Sequence, residues 1–468
     1  AEACFAAAAG RGASASGRTM LGHNEDNGGS LIMRHRYVPR GTGAELSFED
    51  GAAKIKQAGP TCAFLWMETL RPAPGESFGD TFVNEMGVAI TSNSCGKSRE
   101  DSPELRDGGI GWGLRWIAAG SAKSARDAVR IASELVLEYG YRSSARSYTF
   151  ADKDEIWFFQ VVNGKHFAAQ RVPDDHIAVN SNHYTIRTVD PDDAGNYLLS
   201  PGLVEYAAGR GWYSPRKPGA SSDFDFAAAF QRPDFFMAAS NVPRHVFGLR
   251  LAAGEHIDAD APEARLPFSV KPASPLTWDT LRGTLSCHCE RPDEDGKWKA
   301  TPHTAKPFDA EIDPSAYARI CNGNNRESVI VDFRENTGET TVWSCFGNPC
   351  ILPMIPWRLG SRAVPASLSG VPDDGDAPCE MARKHFTAAE SGLQSLAPEA
   401  WNISREFVRR VDEEYPMAAE KHGKWLNEIT NEIKSSNDRF EDSVSPEKLL
   451  SQAAASAELA ARAIEGFF

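Results

Sequence analysis

At 468 residues, with 41% hydrophobic and 24% charged side chains, the chain has the material for two to four domains or one large domain with an appendage. Its formal net charge of −14 and the absence of a basic stripe with interleaved aromatics argue against nucleic acid as a partner, because phosphate contacts need clustered Lys and Arg. No apolar run approaches the roughly 18 residues of a membrane helix, so membrane insertion is not expected.

In chain order, Ala1-Glu2-Ala3 stands before Cys4 in the Ala-x-Ala form that precedes a signal-peptidase cut. Residues 1–3 therefore read as a leader remnant or propeptide, a chance Ala-x-Ala in an Ala-rich stretch being the ordinary alternative. A periplasmic or secreted location is the corresponding expectation, with the cytoplasm as alternative. "LGHNEDNGG" (21–29) has the composition of a surface turn. "CAFLWMETL" (62–70) and "MGVAITSNS" (86–94) are short apolar runs bounded by turn residues and read as buried strands. Ser124 opens a capping-box-like start, and Ala128, Val129, Ala132, Leu135, Val136 and Tyr139 follow at helical spacing up to Gly140.

Residues 147–186 are the clearest β region. "IWFFQVV" and "KHFAAQRV" flank Asn163-Gly164, a two-residue hairpin signal, and "HIAVNSN" supplies a third strand. Residues 190–315 are irregular, with helix expected around 223–252. Residues 327–347 read as a hairpin joined across Asn336 to Glu339. Beyond about 380 the pattern is helical. Phe407, Val408, Val411 and Tyr415 form one stripe and Trp425, Leu426, Ile429 and Ile433 another, before Ser445-Pro446 starts a last helix. Strands first, then helices on each side and a helical tail, predict an α+β or layered α/β/α architecture.

There are nine cysteines: Cys4, Cys62, Cys95, Cys287, Cys289, Cys321, Cys345, Cys350 and Cys379. An exported protein can pair eight and leaves one over; a cytosolic one keeps all nine as thiols. Cys287-His288-Cys289 lacks a second Cys or His pair at structural-zinc spacing, so no metal or other cofactor is expected.

Cys4 offers an explanation for the odd cysteine. A cysteine that becomes the first residue of a chain carries a free α-amine with a pKa of roughly 7.7–8 beside a thiol near about 8.5. One residue then supplies nucleophile and general base. Such a site needs a fixed anion to orient the amine, which Asp26 could provide, and donors for a tetrahedral oxyanion.

Cys4 followed by "GHNEDN", with Asp26 placed 22 positions on, resembles the start of the dipeptidase/secernin family of N-terminal-nucleophile cysteine hydrolases. The resemblance continues in order through "NEMGVAITSNS" (84–94), 150–172, "VNSNHYTI" (179–186), "LSCHCE" (285–290) and 326–356. It implies a four-layer αββα sandwich of two antiparallel sheets spanning 4–375, with a C-terminal helical region (380–468) packed on it. It also implies hydrolysis of a small peptide or other linear amide through an acyl-enzyme thioester, and a homo-oligomer is expected. Carried over residue by residue, Cys4 matches the nucleophile, Asp26 the acid that orients its amine, and Asn182 an asparagine near the amine or oxyanion. Asn93, or its neighbour Ser92, falls where related acylases place an oxyanion-hole asparagine. His23, Glu25 and His288 are the expected substrate-binding side chains, with Arg319 or Arg326 as partners for a substrate carboxylate.

Two departures stand out. His23 replaces the family's arginine, exchanging a permanent charge for a group that titrates near neutrality. "LSCHCE" keeps His288 and Glu290 but loses an arginine and an aspartate. Three functions follow from these residues: a dipeptidase-like cysteine amidohydrolase, an acylase on N-acyl amides, and a non-catalytic scaffold in which Cys4 is never exposed.

Overall fold

The computed structural model describes residues 4–27, 31–48, 51–70, 78–215, 223–236, 241–253, 266–289, 319–370, 399–414, 419–438 and 445–467. The leader expectation on residues 1–3, together with Gly28, Gly29, Glu290, Cys379 and Tyr415, lies outside them.

The strands in chain order are β1 (Phe5–Ala9), β2 (Met20–Asp26), β3 (Met33–Val38), β4 (Gly43–Leu46), β5 (Ile55–Ala58) and β6 (Phe64–Thr69). Next come β7 (Phe78–Asn84), β8 (Ala89–Ser94), β9 (Tyr141–Ala151), β10 (Ile156–Gly164), β11 (Phe167–Arg171) and β12 (Ile177–Asn180). The last are β13 (Tyr197–Leu199), β14 (Ser269–Val270), β15 (Asn325–Asp332), β16 (Thr341–Cys345) and β17 (Ile355–Arg358). One sheet has seven strands in the order β14-β12-β1-β2-β15-β16-β17 and a second has eight, β13-β11-β10-β9-β8-β7-β6-β3, with β4 and β5 forming a separate ribbon. The pairings between these strands are antiparallel.

Three apolar layers hold the sheets and helices together. Between the sheets lie Ala8, Leu21, Leu65, Met67, Val83, Phe158 and Val329. Outside the eight-stranded sheet, helices α1 (Gly113–Ser121) and α2 (Ala125–Tyr139) cover Trp66, Phe82, Ile90, Phe150 and Phe159. Outside the seven-stranded sheet, Leu249, Leu281, Leu285, Phe407, Ile433 and Ile464 bring in helices from the middle and the end of the chain. The molecule is an αββα sandwich, and the C-terminal helices pack on it through Phe407, Ile433 and Ile464. Burial at roughly 1.5–3 kcal/mol for each large apolar side chain makes these layers the dominant stabilising term.

Local sequence explains how the elements meet. In α2 the Ser124 hydroxyl accepts the Asp127 N–H (3.1 Å), and Gly140 ends the helix at a φ of 76° that a side chain would resist. Gly22 lets the helix Trp278–Leu285 lie close on β2, because a Cβ there would be 3.1 Å from Leu281 and Leu285. Gly248 does the same for the helix Val242–Ala253 against β1, where a Cβ would sit 2.6 Å from the Phe5 ring.

The ordinary alternative of a surface turn falls away for the first part of "LGHNEDNGG", because Leu21 to Asp26 belong to β2, buried along its whole length. Neighbouring strands on both sides satisfy its backbone, leaving its polar side chains to find partners inside. The Asn163-Gly164 hairpin exists, but Val162 N–H bonds the His166 carbonyl (2.9 Å), so the loop has Lys165 as a third residue, with Gly164 at a φ of 94°.

Candidate active site

Cys4 immediately precedes β1, whose register with β2 sets Phe5 opposite Asn24 and so brings the thiol to the end of β2. Its sulfur lies 3.7 Å from the Asp26 carbonyl oxygen and 3.9 Å from Asp80 Oδ2, distances suited to a weak S–H donor. The Asp26 carboxyl is fully buried. Asn322 Nδ2 donates to its Oδ2 at 2.7 Å, while Oδ1 has no hydrogen-bond partner among the described residues. Burial pushes this carboxyl well above the usual carboxylate range, against the Asn322 hydrogen bond and the positive fields of Arg244 and Arg326.

The eight-stranded sheet supplies the other wall. Asp80, on β7, accepts from Ser92 Oγ (2.6 Å) on β8 and pairs with Arg115 of α1 and with Arg146 of β9 (3.3 Å). Ser92 Oγ also accepts from Arg115 (2.7 Å) and Arg146 (3.0 Å). Two guanidiniums, a carboxylate and a hydroxyl thus form one network beside the Cys4 sulfur. Glu25 joins the two sheets: its carboxylate accepts the Asp80 N–H (3.1 Å), Asn27 Nδ2 (2.9 Å) and Thr69 Oγ1 (3.3 Å).

Arg244 touches the Cys4 backbone, and Asn182 and Asn93 lie on neighbouring elements. Arg244, in the helix Val242–Ala253, donates to the carbonyl oxygens of Cys4 (3.1 Å) and Ser181 (3.1 Å) and to Asn241 Oδ1 (2.8 Å). Burial lowers its pKa, and Asp26 and Cys4 are among the groups that oppose this. Asn182 sits just past β12 with a φ of 69°, in the left-handed region that asparagine tolerates. Its Nδ2 donates to the Ser94 carbonyl (2.7 Å), and its backbone carbonyl accepts from Asn241 Nδ2 (3.0 Å). Asn93 on β8 is fully buried, and neither its Nδ2 nor its Oδ1 has a partner among the described residues. Ser92 and Asn93 alternate across the sheet, so the two are no longer interchangeable: Ser92 is committed to the Asp80 network, and Asn93 retains its amide.

The structure therefore brings the Cys4 sulfur to the Asp26 backbone carbonyl and sets Asn182 just past β12, the strand beside β1. His23 and Glu25 face the eight-stranded sheet, next to the Asp80 network. β2 alternates with period two, which turns Leu21, His23 and Glu25 toward the space between the sheets while Asn24 bonds the Leu285 and Ile320 carbonyls on the other side. His23 is buried, its Nδ1 3.4 Å from Thr81 Oγ1, and its pKa is lowered to about 3 by burial, with Arg115 and Arg146 adding repulsion. It is neutral and cannot stand in electrostatically for an arginine. His288 is grouped with Cys321 and Cys350. Asp80, Arg244 and Asn322 escaped the sequence reading. Arg244 alone left a signal, a charged residue set among Val242, Val246, Phe247 and Leu249.

Known proteins are similar in sequence over much of this chain. It is 23% identical over 384 residues to a probable dipeptidase of Latilactobacillus sakei, covering 80% of this chain and 77% of that one. It is 22% identical over 456 residues to a dipeptidase of Bifidobacterium longum (strain NCC 2705), covering 88% and 80%. Among solved structures it is similar to penicillin V acylase from Agrobacterium tumefaciens, with 10% identity, a TM-score of 0.36, and coverage of 76% of this chain and 86% of that one. The family model of Peptidase family C69 matches residues 3–414, and the chain belongs to that family.

Proposed function

We propose that this protein is a cysteine dipeptidase in which Cys4, once residues 1–3 are removed, acts as the N-terminal nucleophile. The observation that carries the reading is the Asp26 carboxylate. One oxygen is held by Asn322, the other is buried without a partner among the described residues, and the backbone carbonyl of the same residue lies 3.7 Å from the Cys4 sulfur. An ammonium at that oxygen supplies the charge that burial otherwise denies the carboxylate.

In the first half-reaction the α-amine of Cys4 takes the thiol proton and the sulfur bonds to the substrate carbonyl carbon. Asn93 and Asn182 stand as candidate donors to the resulting oxyanion. As the tetrahedral species collapses, the ammonium returns its proton to the departing amine and the C–N bond breaks, leaving a thioester. Water, deprotonated by the same amine, hydrolyses the thioester and restores the thiol. Arg244 fixes the Cys4 carbonyl and so the direction in which the sulfur points.

A dipeptide also needs a partner for its carboxylate. Arg326 is suited to this, since its Nε and Nη2 are buried without hydrogen-bond partners among the described residues. Burial and the nearby Arg405 bring its pKa down to about 9, which still leaves it charged at neutral pH. Free dipeptides are the expected substrates, and N-acyl amino acids are expected to be turned over poorly. The test is mass analysis of the mature protein with turnover by wild type and Cys4→Ala. A chain beginning at Cys4, active in wild type and inactive in the variant, supports the reading. Retained activity in Cys4→Ala refutes it.

A further inference from the structure

We propose that His288, Cys321 and Cys350 form a binding site for a zinc ion, separate from the reacting sulfur. One ligand atom from each of the three lies within 4.8 Å of the other two. The Cys321 and Cys350 sulfurs are 3.5 Å apart. A tetrahedral zinc with Zn–S bonds of about 2.3 Å sets two sulfurs about 3.8 Å from each other, whereas a disulfide needs about 2 Å. The observed separation matches an edge of the coordination tetrahedron.

The ligands come from three segments far apart in sequence, which is why a spacing rule applied to Cys287-His288-Cys289 finds nothing. Backbone and side-chain bonds bring those segments together. Cys321 N–H bonds the Cys287 carbonyl (2.9 Å), tying the end of the helix Trp278–Leu285 to the approach to β15. Asn348 Nδ2 donates to the Asn322 carbonyl (2.8 Å) and to the Cys321 sulfur (3.3 Å), tying that approach to the turn that bears Cys350. A donor aimed at a ligating sulfur is the usual outer-sphere support of a thiolate–metal bond. Cys321 is buried, whereas His288 and Cys350 are partly exposed, so an ion has a way in.

Binding of one Zn²⁺ displaces the two thiol protons and uses the neutral imidazole, giving a neutral Zn(Cys)₂(His) group whose fourth position falls to water. The ion would be a staple. Cys321 precedes Asn322, whose amide holds Asp26, so the metal fixes the loop that supports the acid without touching substrate.

The test uses the full-length protein, purified without chelators from zinc-supplemented culture. About one zinc per chain is expected. Zinc-edge X-ray absorption of the wild type should show two sulfurs at about 2.3 Å and nitrogen at about 2.0 Å. Cobalt(II) replacing the zinc should give tetrahedral d–d bands and a thiolate charge-transfer band. Cys350→Ser should lose part of that band and more than about 10-fold in cobalt affinity, the least expected from losing even a supporting residue. Cys62→Ser should change neither. A metal shell of nitrogen and oxygen alone, an unchanged cobalt spectrum in Cys350→Ser, a negligible zinc content, or a Cys321–Cys350 disulfide in protein isolated without reductant would each overturn the site.

Discussion

Replacing Asn322 with alanine removes the single hydrogen bond that the described residues give the Asp26 carboxylate, the 2.7 Å contact from Nδ2 to Oδ2. A buried hydrogen bond to a charged acceptor is worth about 1.5–3 kcal/mol. Asn322 donates to the ionised form, so its loss favours the protonated acid and moves an already raised pKa further up. At about 1.36 kcal/mol per factor of ten, this is roughly a 10- to 100-fold change toward the protonated acid. If Asp26 must be ionised to hold the Cys4 amine, the acid limb of kcat/KM for dipeptide cleavage moves to higher pH. Below the limb the variant is about 10- to 100-fold slower; on the plateau above it, wild type and variant converge. The assay is kcat/KM against pH, with circular dichroism to confirm folding. A uniform loss at every pH, with the limb unmoved, would refute the reasoning and make Asn322 a packing residue only.

Asp80→Asn deprives Arg115 and Arg146 of the carboxylate they share inside the protein. Breaking a buried ion pair from one side costs about 3–5 kcal/mol. Scaling the unfolding entropy by chain length gives roughly 1 kcal/mol per degree, so Tm should fall by about 3–5 °C; an unchanged Tm would show that a neutral amide in place of the carboxylate satisfies both arginines. His23 carries a pH signature. Its folded pKa of about 3 lies below the value near 6.5 of an unfolded chain. Between those values the unfolded state holds a proton that the folded state lacks, so His23's contribution is present above about pH 6.5 and is lost on acidification at about 1.4 kcal/mol per unit. His245, lowered to about 4 mainly by burial, acts in the same sense. His23→Gln should flatten the slope of urea stability between about pH 4.5 and 6.5, and parallel curves for the two proteins would contradict the assignment.

How much of this was legible in the sequence varies by residue. Helix α2 announced both of its ends, because Ser124 and Gly140 act locally. Cys4 and Asp26 were legible as a pair because the β1–β2 hairpin keeps partners close along the chain, with Phe5 opposite Asn24. Within His23-Asn24-Glu25-Asp26 the strand sends successive side chains to opposite faces, so the four are divided between two environments. Leu21 among the inter-sheet residues and Met20 among the outer ones already marked that alternation. Asp80 left no trace, being one acid in the apolar strand "FGDTFVN" whose arginine partners stand in α1 and β9. Asn322 was equally silent. Its link to Asp26 spans 296 positions and exists only because β15 pairs with β2. Local chemistry reads from local sequence; contacts made by sheet order do not.

The Cys4 sulfur sits at the start of β1 in one sheet, and the Asp80 carboxylate 3.9 Å from it belongs to the other. Their spacing is therefore governed by the sideways offset of two slabs that touch through apolar side chains such as Ala8, Met67 and Val83. Close-packed interiors transmit displacement rather than absorb it. An enlarged or shrunken methyl group in that seam, remote from any substrate, would retune the thiol by sliding one slab past its neighbour.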